Sequence, residues 1–189
     1  GMFGVGYQRA CRKADIDKPG CYSWSDLDEI QKSIDEIKKT CHWCIVVAHA
    51  GEEFTPLPSP YTRERYHKYL EMGADIVVAH HPHVPMNYET VGDKIIFYSL
   101  GNFISNQRDR YRDGGINVKL YIGKDVDGSL YLGVESVPVW VHKDYSNGKY
   151  RYAVLPEYVK GNVKISAYDS LLFERSIKDN ELQISNIVL

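Results

Sequence analysis

The sequence predicts a mixed α/β domain. Three short apolar runs rich in β-branched residues, Cys44–Ala48, Asp75–Ala79 and Lys94–Tyr98, carry no polar alternation, as in strands buried on both faces of a sheet. Amphipathic helical stretches precede the first run and separate it from the second. Beyond Gly114 the texture changes to longer alternating segments with turn dipeptides, which predicts an antiparallel hairpin region at the C-terminal end.

The elements follow in order. Met2 to Val5 is a short strand, and Gly1 before it reads as a tag remnant. Gln8 to Cys21 is polar and turn-rich, a loop. Ser25 is the expected N-cap of a helix with Asp28 as its box partner. Leu27, Ile30, Ile34 and Ile37 recur at helical spacing, and Lys38 and Lys39 suit the negative end of that helix. The Cys44–Ala48 strand stops at His49-Ala50-Gly51-Glu52-Glu53. A loop with Pro56, Pro58 and Pro60 leads to a helix over Tyr61–Met72, ended by Gly73. The second buried strand stops at His80-His81-Pro82-His83, the third at Ser99-Leu100-Gly101-Asn102-Phe103. Ile116–Tyr121, a turn at Asp125-Val126-Asp127-Gly128 and Leu130–Val141, interrupted at Pro138, form a hairpin region. Asn147-Gly148 marks a second hairpin. Ala167–Lys178 reads as a helix and Leu182–Val188 as a closing strand. The whole of 2–189 reads as one domain.

Composition narrows the function classes. The 189 residues carry 43% hydrophobic and 25% charged residues, which excludes disorder as the dominant state. The formal net charge of -2 offers no basic field for a nucleic-acid backbone. The segment Gln107-Arg108-Asp109-Arg110-Tyr111-Arg112 is locally basic and aromatic, but Asp109 and Asp113 interleave. Its plain reading is a solvated loop; its functional reading is a loop beside the site that meets an anionic substrate. No apolar run approaches the roughly 20 residues of a membrane span, and no secretory signal opens the chain. Cys41 and Cys44 have redox or zinc spacing, and Cys11 and Cys21 could complete a four-sulfur site. A helix end running into a buried strand accounts for the Cys41–Cys44 pair as packing residues.

The histidines carry the chemical signal. Imidazole is the commonest transition-metal ligand near neutral pH. His81 and His83 face one cavity if Pro82 leaves the segment extended, because side-chain direction in a strand has period two. His80 then points elsewhere, as a structural or supporting group. His49 sits at the equivalent end of the preceding strand. Glu52 and Glu53 can ligate a metal, orient a ligating histidine, meet substrate or stay solvated. Asn102 either ligates through its carbonyl or takes a left-handed turn. Polar clusters at the carboxyl ends of sheet strands are where α/β proteins usually place chemistry.

These clusters together resemble a known family. His49-Ala50-Gly51-Glu52-Glu53-Phe54 resembles the His-Trp-Gly-x-Glu-Tyr segment of the bacterial CapA-like capsule and poly-γ-glutamate synthesis proteins. Gly73 to His83 resembles their Gly-Ala-Asp-x-Val-(Val/Ile)-Gly-His-His-Pro-His segment, and Tyr98-Ser99-Leu100-Gly101-Asn102-Phe103 their Tyr-Ser-Leu-Gly-Asn-Phe. The resemblance covers residues 2–121. That family is similar to the calcineurin-like metallophosphoesterases, which implies part of a metallophosphatase-like two-sheet sandwich flanked by helices. It also implies a divalent metal (Mn, Zn or Fe) with His49, His81 and His83 as ligands, and Glu52, Glu53, His80 and Asn102 as supporting or substrate-facing residues.

No segment here resembles the family's Gly-Asp-x-x-x-x-Arg or Asn-Asn-His-x-x-Asp, which supply its bridging carboxylate and transition-state histidine. The resemblance therefore implies an incomplete site. It also implies either self-association or a chain that supplies the missing N-terminal half, and a role at the bacterial cell envelope. The activity implied is metal-dependent phosphoester hydrolysis; the contrasting expectation is a non-catalytic assembly module with a vestigial histidine cluster.

Overall fold

Apolar strands without polar alternation must be covered on both faces, and two different layers cover them here. In the computed structural model, residues 1–7, 12–15 and 17–185 are described. Cys11 and the end of the expected closing strand, 186–189, lie outside the described residues. The elements are β1 (Met2–Gly6), β2 (Tyr22–Ser23), α1 (Leu27–Thr40), β3 (Ile45–His49), α2 (Pro60–Glu71), β4 (Ile76–His80), β5 (Tyr88–Val91), β6 (Lys94–Phe97), β7 (Gly114–Lys124), β8 (Leu130–Ser146), β9 (Lys149–Pro156) and α3 (Ala167–Ser185).

Two sheets result. A six-stranded sheet runs β2-β1-β3-β4-β6-β5, parallel except for β5, and a three-stranded antiparallel sheet runs β7-β8-β9. On one face of the larger sheet, Val46, Ala48, Val77, Ala79 and Ile96 pack against Ile30 and Ile34 of α1 and Tyr66, Tyr69 and Leu70 of α2. On the other face, Ile76, Ile95 and Phe97 meet Val118, Leu120 and Leu132 of the smaller sheet. A third cluster joins Trp140 of β8 to Phe173 and Ile177 of α3. The fold is the expected mixed α/β class, with two packed sheets and flanking helices. No helix among the described residues is long and apolar enough to cross a membrane.

The predicted helical stripe of α1 is the buried one: Ile30 and Ile34 are buried, and Leu27 and Ile37 pack against the same core. Its N-cap is Asp26 rather than Ser25. The Asp26 carboxylate accepts from the Glu29 amide and pairs with Lys13, while the Ser25 hydroxyl is taken by Ser23. A carboxylate at the positive helix end outcompetes a hydroxyl. At the other end Lys38 reaches Asp75, which also accepts from the Cys44 amide and so ties α1 to β3. Cys44 is fully buried and Cys41 is partly exposed.

Three further differences from the sequence reading have local causes. β8 runs through Pro138 without interruption. The opposite residue, Ile116, sends its amide to Leu100 rather than into the β7–β8 ladder, and β9 pairing begins only at Val139. Proline's missing N–H therefore faces a side with no strand. α3 continues through Leu182 to Ser185, where a strand was expected. Over so short a run, apolar residues at alternate positions satisfy either period. β5 went unassigned, although Gly92-Asp93, joining it to β6 across the Val91–Lys94 pair, is a two-residue hairpin signal. The Asn147-Gly148 turn is as expected, with both residues at positive φ, 54° and 75°.

β5 matters for stability because it carries Glu89. That carboxylate accepts from Arg63 at 2.7 and 3.0 Å, from the Tyr98 hydroxyl at 2.6 Å, and contacts His67 at 3.0 Å. Burial works against the charged form, but these hydrogen bonds prevail and hold the carboxyl down at about 2. A folded-state value below the unfolded one stabilises above the unfolded pKa and loses that contribution as pH falls towards about 2. The shift corresponds to about 3 kcal/mol, lost between roughly pH 4.5 and 2. Glu89→Gln is expected to flatten that acid limb in urea titrations at stepped pH. An unchanged limb would show the network contributes nothing.

Candidate functional site

The parallel register brings the predicted clusters together. β3 and β4 pair residue for residue, ending on His49 opposite His80, and β6 lies on the far side of β4. The loops leaving these strands are tied by backbone bonds: the Ala50 amide donates to His80 O and the Phe54 amide to Pro82 O. Three histidine rings gather there. The His49 and His81 centroids are 5.0 Å apart, and His81 and His83 are 6.2 Å apart.

They are not gathered by an extended His-x-His segment. His81 and His83 both have left-handed backbone, with φ of 103° and 62°. Such values are unusual for residues with bulky side chains, and local strain of this kind clusters at functional sites. His80, still in strand geometry, lines a separate cavity with Leu100, Gly101 and Asn102. Burial, then the neighbouring His49, pushes its pKa below the usual value. Burial, then His81 and His83, does the same to His49. Lowered values keep these imidazoles neutral near pH 7, the form that presents a lone pair.

Asn102 sets the tautomer of His83. Its Nδ2 donates to Arg112 O at 2.7 Å and to Gln107 Oε1 at 3.0 Å. A backbone carbonyl only accepts, so the Asn102 amide nitrogen must face that way and Oδ1 must face His83. His83 Nδ1 lies 2.9 Å from that oxygen and therefore carries the proton, leaving the Nε2 lone pair free. Gly101, not Asn102, takes the left-handed turn, at φ 71°. A Cβ there would stand 2.8 Å from Pro85 and 3.0 Å from Gly114 O, so glycine is required for the approach of β7.

The carboxylates divide. Glu52 accepts from the Ser59 amide, the Ser59 hydroxyl and the Thr62 hydroxyl, which fastens it to the start of α2. Burial opposes its ionisation, but those hydrogen bonds outweigh it and lower its pKa. Glu53 is half-exposed, with Oε1 3.9 Å from His81 Nε2. A cavity of about 630 Å³ opens beside it, walled by Tyr7, Trp24, Tyr61, Glu52, Glu53 and His81. On the opposite side Phe54 stacks on His83 at 5.7 Å, and the Arg112 guanidinium lies 4.5 Å from the Phe54 ring. The sequence carries no signal for the placements of Tyr7, Trp24 and Tyr61, which depend on loops far apart in the chain, whereas Arg112 belongs to the basic Gln107–Arg112 segment that the sequence offers as a loop beside the site.

The donor set suits a divalent ion in part. Two imidazoles on one tetrahedral ion, each with a metal–nitrogen distance of about 2 Å, place their centroids about 5 Å apart. The His49–His81 spacing matches this. Yet among the described residues no three histidine, cysteine, aspartate or glutamate donors are arranged to hold an ion.

Residues 6–107 match the family model of the bacterial capsule synthesis protein PGA_cap, more than half of the chain. The chain belongs to this family. Every candidate residue of the site, from His49 to Asn102, lies inside the matched segment. The capsule biosynthesis protein CapA of Bacillus anthracis is 38% identical over 97 residues, half of this chain and 24% of that protein. The PGA biosynthesis protein CapA of Bacillus subtilis is 35% identical over 111 residues, 58% of this chain and 28% of that protein. The matched part thus spans about a quarter of these PGA_cap relatives. Among solved structures, a Staphylococcus aureus protein described as a 5′-nucleotidase, in complex with alpha-ketoglutarate, superposes over 90% of this chain and 30% of its own. Its TM-score is 0.47 at 18% identity.

Proposed function

We propose that this PGA_cap chain carries the histidine-bearing part of a metal-dependent hydrolase site of phosphoesterase type. The pathway would be capsule or poly-γ-glutamate synthesis at the cell envelope, and the carboxylate donors that complete the site would lie outside the described residues. The reading is carried by the convergence of His49, His81 and His83 at the carboxyl ends of β3 and β4, with the His83 Nε2 lone pair set by Asn102. A divalent ion held there would supply Lewis-acid polarisation of the scissile group. Within this chain, His49, His81 and His83 bind, Asn102 orients His83, and Glu53 faces the substrate side of His81.

The absence of a three-donor arrangement among the described residues favours a second reading, a non-catalytic assembly module that keeps the cluster as a relic. Metal content separates them. After manganese or zinc loading and desalting, mass spectrometry is expected to find near-stoichiometric metal. A His49→Ala, His81→Ala, His83→Ala variant is expected to lose it, whereas metal held by thiols would persist. No metal, or metal that survives in the variant, would establish the assembly module instead.

A further inference from the structure

Behind Phe54, whose ring stacks on His83, lies a cavity of about 450 Å³ that the metal reading does not use. It is lined by Phe54, Pro56, Val84, Tyr111, Gln183 and two arginines, Arg110 and Arg112. Its wall contains no carboxylate, whereas the cavity across His81 is lined by Glu52 and Glu53 and by no cation. His81 lines the acidic aromatic cavity, and Phe54, stacked on His83, lines the guanidinium-bearing one.

The arginines are held differently. Arg110 donates through Nε and a terminal nitrogen to Asp179 at 2.9 and 2.8 Å, a fork-to-fork pair with a nearly buried carboxylate. That pair fixes the guanidinium plane while leaving its remaining N–H groups uncommitted. Arg112 lies over the Phe54 ring and pairs with Asp109, whose side chain is 70% exposed. An exposed ion pair is weak and can be replaced by another oxyanion. Phe54 and Tyr111, both with left-handed φ, 63° and 70°, line the same cavity. Asn102 holds the Arg112 carbonyl and the His83 ring on one amide, which fixes the spacing between cavity and histidine.

We propose that this cavity is the subsite for an oxyanion, a carboxylate or phosphate on a short apolar stem, carried by the substrate that reaches the histidine cluster. Arg112 and Arg110 bind the anion, and Phe54, Pro56 and Val84 hold the stem. The proposal rests on the hydrolase reading for its substrate, but anion binding itself needs no metal.

The test is a titration of the chelator-treated, ¹⁵N-labelled chain with glutarate in one arm and inorganic phosphate in the other. Saturable amide shifts centred on Phe54, Tyr111 and Arg112 are expected in at least one arm, and the tighter arm identifies the source. Arg112→Gln is expected to weaken binding by about 10-fold, since it removes a charge-assisted fork. Asp109→Asn is expected to tighten it by about 2–3-fold by freeing that fork, an effect misfolding cannot mimic. Because the titrated chain is chelator-treated, saturable anion binding there needs no metal, so failure of the metal reading and failure of this one are separable. Shifts scattered over surface lysines, or unaltered binding in Arg112→Gln, would overturn the subsite.

Discussion

Replacing Asn102 with leucine is expected to weaken the divalent-metal binding proposed for the histidine cluster by about 10–100-fold. Leucine matches the volume and removes three contacts at once: the acceptor for His83 Nδ1 and the donor bonds to Gln107 and Arg112 O. Without the acceptor the His83 ring is free to rotate and to protonate Nε2, the atom needed for ligation. The part-buried Arg112 carbonyl loses its partner, which adds about 1 kcal/mol of destabilisation. Asn102→Asp separates the two effects. It keeps an oxygen towards His83 while losing both donors, so affinity is expected to recover further than stability. Competition against a chelating dye reads the first quantity and urea unfolding the second. Unaltered metal affinity in Asn102→Leu would remove Asn102 from the site.

Trp140→Ala is expected to cost about 3–5 kcal/mol, the range for deleting a buried large aromatic. Trp140 is 2% exposed, stacks on Phe173 at 5.7 Å and donates its indole N–H to Asp113 at 3.2 Å. Asp113 is already pushed up by burial, against the pull of Arg175, so losing the indole donor leaves a poorly solvated carboxylate. The expected consequence is loosening of α3, whose Asn180 bridges Gly115 O and Val139 O. Hydrogen exchange around residues 114–116 is expected to accelerate with the fall in the urea midpoint. Tyr150→Ala, at an exposed ring on the far hairpin, is the control and is expected to stay within about 0.5 kcal/mol. Equal effects at the two positions would contradict the assignment of Trp140 as the anchor.

Much of the fold was legible because burial on both faces leaves an unmistakable composition. Ile45-Val46-Val47-Ala48 and Ile76-Val77-Val78-Ala79 carry no polar alternation, and each is a central strand with helices on one side. The Leu27–Ile37 stripe gave α1 and the Gly73 stop gave the end of α2, whose first residue, Pro60, belonged to the expected loop. Edge elements were harder: β2 is two residues long, and β5 is half-exposed, so neither leaves an apolar run. The extension of α3 past Lys178 rests on contacts with β7 and β8, which short-range periodicity does not contain.

The site divides the same way. The chemical types were readable: three histidines near strand ends, two glutamates behind one and an asparagine after the third strand. Their geometry was not. Period two would have placed His81 and His83 on one side of an extended segment, but the loop closes onto Pro82 O and drives both residues into left-handed backbone. Asn102 reaches His83 only because β6 lies beside β4, and Arg112 reaches Phe54 only because β7 returns past Gly101. By itself the sequence determined the central strands, the helices α1 and α2 that cover them and the residue types at their ends, since local burial and hydrogen bonding leave periodic traces. The tertiary structure alone decided which imidazoles meet, which nitrogen of His83 is free and which arginines stand beside it. Those facts depend on strand order and loop closure, which bring distant segments together and leave no local pattern.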